Sequence, residues 1–380
     1  HHIIHKLGVE IGFLGYTDHL VPIRQSPYYS KGIIYTKPED NIKYWVEVLK
    51  QQEQCDFVIV LAHIGLSQQI ALANNPDAKG VDYIFGADTH ERVRKPIQCE
   101  YAKVVEPGAF GSFVGRLDLQ VTDGKIVGDK YELIEVNPKK YPAKPEMKKL
   151  VEEIEKPYHD QINQVIGYST EPLYRNMVVE NTIDTLIVDA LKWKVNTEVV
   201  LSNGFRFCPP RVPDASGKVA ITEGYLFDML PVDATVRVGK ATGKQLVDWL
   251  EKELQNVFAQ DATKRFGGWV VRFKGMEVEF KAFERVGQRV KKVTIGDKPL
   301  ELEKTYTIAA CERDGDPADM LCRMKGVEEA SNTSYTLHSV MKEYLKEFSP
   351  VSPKLRQAAK VLDAPQTLLS QVHGVDYQFL

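Results

Sequence analysis

From Gly8 to Val136 the hydrophobic positions switch between two rhythms. Val9 to Leu14 reads as a strand that stops at Gly15. Thr36 to Glu39 fits a capping box with Pro38 in the first turn, and Ile42, Trp45, Val46 and Leu49 then fall on one helical face. Phe57 to Ala62 is an unbroken apolar run rich in branched residues, which predicts a central strand, and Asp82 to Phe85 predicts a short one. Leu117 to Val136 predicts a hairpin turning at Asp123-Gly124. The alternation predicts an α/β layered domain, with polar residues appearing where strands end.

A proline- and lysine-rich stretch, Asn137 to Pro145, follows. Met147, Leu150, Val151 and Ile154 then share one helical face before Pro157 interrupts it, which predicts a helix bridging two domains. From about Ile166 the pattern restarts. Helices are predicted at Thr182 to Trp193, Thr222 to Leu230, Thr242 to Phe258 and Tyr335 to Phe348. Strands at Trp269 to Phe280, Val290 to Ile295 and Tyr306 to Ala310 make this a second, α+β domain. The boundaries read as 1–140, a linker with the bridging helix at 141–166, a domain at 167–365 and a tail at 366–380.

A chain of 380 residues is long for one core, in keeping with two domains. The net charge of −3 gives no reason to expect a nucleic-acid polymer or a charged membrane surface as partner. No apolar run approaches the roughly 20 residues that span a bilayer. Cys55, Cys99, Cys208, Cys311 and Cys322 are odd in number and far apart, and read as small buried thiols, with one bridge left open. His1 and His2 precede a strand pattern with no start methionine and no signal peptide, so the chain is expected to begin inside a longer protein.

Two segments carry chemistry in the first domain. Leu61-Ala62-His63-Ile64-Gly65 sets a histidine at the end of the hydrophobic strand, and Gly86-Ala87-Asp88-Thr89-His90 follows the next one. In layered α/β folds the loops at the carboxyl ends of strands converge on ligands. Imidazole and carboxylate are donors suited to zinc, manganese or iron, and Asp88 and His90, two apart in a loop, can share a cavity. A histidine after a strand is just as readily a structural residue, and that reading stands beside the metal one.

These segments resemble the second half of the calcineurin-like metallophosphoesterase domain of 5'-nucleotidases, and Gly8 to Thr17 is similar to a strand of that family. His63 matches the histidine of its "shHlG" motif and His90 the last of its "GGHtH" motif, while Asp88 stands where histidine is usual. The resemblance implies metal ligation by His63, Asp88 and His90, with two divalent ions (manganese, zinc or similar) in the intact protein. The family's D-x-H, G-D and G-N-H-E motifs are not found ahead of His63. The resemblance therefore places the remaining ligands and the catalytic residues upstream of His1, and an upstream segment or a second chain would complete the site.

The second half resembles the 5'-nucleotidase C-terminal domain through Val179 to Ala190, Ile221 to Pro231 and Lys240 to Glu251. Ser202-Asn203-Gly204-Phe205-Arg206 approximates that family's "N-x-G-x-x-R" loop, implying that Asn203 and Arg206 meet the substrate's phosphate, with Arg175 as a second candidate. Without the family a turn arginine on the surface is the plainer reading. Asp316 matches the family's ribose-binding aspartate. The two stacking phenylalanines of such enzymes are missing. Val232 replaces one in Pro231-Val232-Asp233-Ala234, and the loop Ala310 to Asp316 is shortened and lacks the other. Gly204 to Phe207 and Arg265 to Trp269 are closer to the thiosulfohydrolase subfamily. Phe205, Phe207, Phe266 and Trp269 either line a pocket or pack in the core.

The resemblance thus implies a partial metallophosphoesterase domain, layered like a β-sandwich, followed by an α+β nucleotidase domain. It implies a hydrolase of phosphate monoesters, nucleotides above all, working through metal-activated water on a small-molecule substrate and exported to a periplasm or cell exterior. A thiosulfohydrolase-like activity on a sulfur-containing substrate and a non-catalytic binding remnant remain as alternatives.

Overall fold

The computed structural model describes residues 1–202, 208–267, 270–364 and 375–376. Asn203, Arg206, Phe205, Phe207 and Trp269 lie outside the described residues.

The first domain is built on a six-stranded sheet. Its strands are β1 (His2–Lys6), β2 (Val9–Tyr16), β3 (Phe57–Ala62), β4 (Tyr83–Gly86), β6 (Ile97–Gln98) and β7 (Lys103–Val105), in the order β1-β2-β3-β4-β7-β6. The four central strands run parallel, with β1 and β6 antiparallel at the edges. Parallel strands need covered faces, and the apolar run of β3 reflects this: Val58 and Val60 are fully buried. A single helical turn α1 (Val21–Arg24) follows β2. The helix α2 (Ile42–Glu47) packs Ile42 and Val46 into the core, continuing as a wider turn that buries Leu49. The start of this region differs from the capping box expected at Thr36. The Lys37 amide donates to Asp40 Oδ2 at 2.9 Å, and a 3-10 turn at Pro38–Asp40 precedes α2. The physical reason is that Pro38 fixes the first turn while Asp40, not Glu39, sits within reach of the open amide.

α3 (Leu66–Ala73) follows β3, and β5 (Arg92–Val93) lies beyond β4. The hairpin β8 (Phe113–Thr122) and β9 (Lys125–Glu135) turns at Asp123-Gly124, where φ is 50° and 69°. Two left-handed residues in a row are what a tight hairpin turn with right-handed strand twist requires. α4 (Pro145–Glu155) forms where a bridging helix was expected, and its apolar stripe is not packed: none of its residues is buried and Ile154 is 63% exposed. α5 (His159–Asn163) follows the break at Pro157.

The second domain begins with β10 (Val165–Ser169) and the largely buried helix α6 (Thr182–Lys194). β11 (Val199–Ser202), β12 (Val219–Thr222), α7 (Glu223–Met229), β13 (Thr235–Thr242) and α8 (Gly243–Phe258) follow. Thr242 caps α8: its Oγ1 accepts the Gln245 amide at 3.2 Å and Gln245 Oε1 accepts the Thr242 amide at 2.8 Å. Leu246, Trp249, Leu250, Leu254 and Val257 then form the buried stripe. The remaining elements are β14 (Arg272–Lys274), β15 (Met276–Phe280), β16 (Val290–Ile295), β17 (Lys298–Pro299), β18 (Thr305–Cys311), β19 (Glu328–Thr336), α9 (Leu337–Phe348), β20 (Ala359–Val361) and β21 (Val375–Asp376). They make a five-stranded sheet, β14-β11-β18-β13-β19, and a four-stranded one, β17-β16-β15-β20. All five cysteines are thiols.

The single strand expected from Trp269 to Phe280 is two strands in two sheets, divided at Gly275. Gly275 has φ +88°, and a Cβ there would stand 2.0 Å from the Glu198 carbonyl oxygen. Gly275→Ala is expected to cost at least about 2 kcal/mol, from left-handed strain plus a backbone clash. Urea unfolding measures this, and a loss below about 0.5 kcal/mol would show that the strand switch does not depend on this glycine.

Candidate interdomain active site

The four parallel strands of the first sheet each deliver a polar residue at their carboxyl ends: Asp18 after β2, His63 after β3, Asp88 after β4 and Glu106 after β7. The sheet ladder persists into these loops. The His63 amide donates to the Tyr16 carbonyl at 2.9 Å and the Ala87 amide to the Ala62 carbonyl at 3.0 Å. As a result His63 Nε2 and Asp88 Oδ1 stand 3.6 Å apart, with His63 largely exposed. His90 does not complete a cluster with them. Asp88 and His90 both take left-handed φ, 93° and 67°, and the His90 ring packs edge-on against Phe110 at 5.4 Å. Among the described residues no group of three or more His, Cys, Asp or Glu side chains is placed to hold a metal ion. The donor pair itself fits a cation. Two ligands each about 2.0–2.2 Å from one ion are held roughly 3–3.5 Å apart, and His63 and Asp88 have that spacing within a small adjustment.

The residue that organises this edge is one that sequence reading passed over. Arg24, at the end of α1, donates from Nη1 to Asp18 Oδ2 at 2.8 Å and to Asp88 Oδ2 at 2.9 Å. Its other terminal nitrogen bonds the carbonyl of Phe266 in the second domain. The Arg24 and Arg323 guanidinium carbons each stand 5.3 Å from the centroid of the Phe266 ring. Phe266 is therefore held between cations. Burial pushes the neighbouring His19 imidazole below its ordinary value, so at neutral pH it adds no charge to balance Asp18 and Asp88. The one available signal in the sequence was Asp18 itself, which follows its strand as His63 follows β3.

Between the domains lies a cavity of about 190 Å³. Arg24, Gln25 and Tyr29 of the first domain face Arg175, Val232, Arg313, Asp316 and Arg323 of the second across an apolar floor that includes Leu191, Leu201 and Met229. Tyr29 is the only aromatic ring among the described lining residues. Val232, which stands where a stacking ring was expected, is exposed at the rim.

Two predicted contacts prove to be engaged within the protein. Arg175 is buried and donates to Asp184 Oδ1 from Nε at 3.0 Å and Nη2 at 2.9 Å, and to the Met229 carbonyl at 2.7 Å, so most of its donors serve the fold. Asp184 has no exposure at all, and a buried carboxylate keeps its charge only with such a partner. Asp316 lines the cavity with its carboxylate on Arg313 Nε at 2.8 Å. Arg313 Nη1 in turn donates to the Ile23 carbonyl at 2.6 Å and the Gln25 carbonyl at 3.2 Å. Arg313 thus fastens the α1 segment to the second domain, and Arg265 does the same for α3 through a 2.9 Å bond to Ser67 Oγ.

Because Asp18 is buried and paired mainly with Arg24, Arg24→Met is expected to cost about 3 kcal/mol. Adding Asp18→Asn should recover part of that loss, since it removes the stranded charge. Simple additivity in a double-mutant cycle would contradict the pairing.

Comparison with known proteins agrees with this architecture. Residues 165–312 match the family model for the 5'-nucleotidase C-terminal domain. The trifunctional nucleotide phosphoesterase YfkN of Bacillus subtilis is 25% identical over 377 residues, covering 94% of this chain and 25% of that protein. A 5'-nucleotidase of Vibrio cholerae is 24% identical over 400 residues, covering 92% of this chain and 69% of its own length. The chain thus spans a quarter of the first relative and about two-thirds of the second. Among solved structures, the sulfate thiohydrolase SoxB of Thermus thermophilus superposes with a TM-score of 0.86 at 22% identity, over 97% of this chain and 66% of that one. A 5'-nucleotidase precursor from Thermus thermophilus superposes at 0.80 with 21% identity, over 96% and 75%. At such identities the superpositions speak for the fold. Residues 165–312 thus carry a 5'-nucleotidase C-terminal domain, and along more than nine-tenths of its length the chain is similar to nucleotide phosphoesterases and 5'-nucleotidases.

Proposed function

We propose that this chain is the substrate-binding and partial metal-binding portion of a phosphomonoester hydrolase acting on nucleotide-type substrates at the interdomain cavity. The observation that carries this reading is the contact between the two halves of the site. Arg24 lines the cavity and at the same time bonds Asp88 of the His63–Asp88 pair. A tetrahedral oxyanion seated against Arg24 would meet a guanidinium suited to charge-assisted, forked hydrogen bonds. It would also lie beside the two donors that face a cation.

His63 Nε2 and Asp88 Oδ1 are the atoms that would hold a divalent ion, whose chemistry when bound is to acidify a water and neutralise charge on a phosphoryl oxygen. Asp88 is well prepared for this role, because Arg24 occupies its Oδ2 and leaves Oδ1 toward His63. The exposure of His63 keeps its imidazole open to solvent. Arg206, matched to the family's phosphate-binding loop, is proposed to anchor the same anion from the second domain, with Asn203 beside it and Asp316 toward the ribose. A two-ion site needs more donors than His63, Asp88 and His90 supply. The 380-residue chain by itself is therefore expected to bind metal weakly, and the assay belongs on the protein with its donor set complete. Export from the cytoplasm belongs to the same proposal.

The substrate's base is proposed to matter little. Tyr29 is the one ring among the described lining residues, and each missing stacking ring removes roughly 1–3 kcal/mol of base affinity. The same weakness favours a second reading, a thiosulfohydrolase-like activity on a substrate with no base at all.

A substrate panel separates these readings. With manganese or zinc present, AMP and UMP are expected to be hydrolysed with kcat/KM values within about tenfold, or roughly 1.4 kcal/mol. A thiosulfonate should be inert, and chelation should abolish turnover. Arg206→Ala is expected to lower kcat/KM for both nucleotides more than about 30-fold, since it removes a charged contact to the group hydrolysed. A hundredfold base preference lost in Trp269→Ala would instead assign stacking to Trp269, and preferential thiosulfonate cleavage would establish the second reading.

A further inference from the structure

Behind the candidate donors lies a buried carboxyl that the proposed chemistry does not use. Glu106 follows β7 and has no solvent exposure. Its Oε1 accepts the Glu91 amide at 3.0 Å and the Thr89 hydroxyl at 3.5 Å, and its Oε2 accepts Gln69 Nε2 at 3.0 Å. Each of these partners reaches a different part of the loop that carries Asp88 and His90. Gln69 Nε2 also donates to the Ala87 carbonyl at 3.0 Å, one residue before Asp88. Thr89, between the two candidate donors, accepts the Leu66 amide at 2.9 Å and so ties their loop to the start of α3, just beyond His63. Glu91 is the residue after His90.

The packing around this carboxyl is built for it. Gly86, at the end of β4, leaves the space that the Gln69 amide occupies: a Cβ at Gly86 would stand 1.8 Å from Gln69 Oε1. A Cβ on the left-handed Gly65 would press on Thr89 and Asp88 at 3.0 and 3.2 Å. Two small residues therefore let three elements close on one loop. The loop needs such support, because Asp88 and His90 both hold left-handed backbone conformations that cost non-glycine residues of order 1–3 kcal/mol each.

We infer that Glu106 is a positioning residue, whose carboxyl clamps the 87–91 loop from behind and thereby fixes Asp88 against His63. The inference rests on the reading of His63 and Asp88 as metal donors for its consequence, though not for its geometry. Burial and the charge of Glu91 push the Glu106 carboxyl well above the usual carboxylate range. Glu106→Gln keeps the length of the side chain and one acceptor oxygen, and replaces the other with a donor.

The test compares Glu106→Ala, Glu106→Asp and Glu106→Gln with wild type and with Val104→Ala. Val104 is fully buried on β7, and its truncation lowers stability without touching the clamp. Two readouts are taken: backbone amide exchange at Leu66 and Glu91, and zinc affinity by titration calorimetry with zinc ion alone. Glu106→Ala is expected to speed exchange at both amides at least tenfold beyond Val104→Ala, and to weaken zinc at least tenfold. Glu106→Gln, which keeps the reach and one acceptor, should fall between wild type and Glu106→Ala on both. If the alanine variant does not fold, Glu106→Asp, which shortens the reach, carries the same expectation. Exchange and affinity in Glu106→Ala that match Val104→Ala would overturn the inference. Where zinc binds the wild-type chain too weakly to titrate, the exchange measurement decides the clamp by itself.

Discussion

The carboxyl edge of the first sheet gathers negative charge, and the guanidinium of Arg24 is what makes that arrangement tenable. Asp18 and Asp88 both contact the same Arg24 nitrogen, at 2.8 and 2.9 Å. Two carboxylates about 5 Å apart repel by roughly 3 kcal/mol at an effective dielectric near 20, and each also loses hydration on entering the protein. The shared cation offsets both costs. Because the same side chain bonds the Phe266 carbonyl and lies near its ring, the cation that balances these carboxylates also ties the first domain to the second. The orientation of Asp88 follows from this connection, and Arg313 adds to it by fastening the α1 segment.

That dependence gives the interdomain boundary its character. Arg313, Arg265 and Arg24 each reach across it to a backbone carbonyl or a hydroxyl. Such contacts are directional and polar, so they specify a geometry without the large dry surface of an obligate interface. Asp316 and Asp184 have complementary duties. Each holds an arginine of the cavity wall in place and takes up much of its donor capacity, so these two guanidinium groups fix the shape of the wall.

Much of the fold was legible in the sequence because its strongest signals are local. β3 was readable from its branched apolar run, α8 from Thr242 and the Leu246–Val257 stripe, and the hairpin from Asp123-Gly124. That His63 and Asp88 stand at the carboxyl edge was legible for the same reason, since each follows a strand that is itself readable. Arg24 was not, because it sits on a single helical turn and its partner Asp88 is 64 residues away. Glu106 was missed likewise, as nothing near it in sequence signals that Gln69 and Glu91 converge on it. The strand expected to run through Gly275 divides where the backbone turns to φ +88°, and the need for glycine there, beside the Glu198 carbonyl, is visible only in three dimensions. The apolar stripe of α4 announced a helix correctly but was silent on whether anything covers it.

The proposed function depends on His63 and Asp88 forming one cation site that opens into the arginine-lined cavity. Diffraction from crystals soaked in zinc and inorganic phosphate, with anomalous data at the zinc edge, tests this most directly. The expected result is a zinc peak roughly 2.0–2.2 Å from His63 Nε2 and Asp88 Oδ1, with phosphate density in the cavity against Arg24 and Arg313. Zinc bound elsewhere, with Asp88 still held by Arg24 alone and phosphate absent from the cavity, would contradict it.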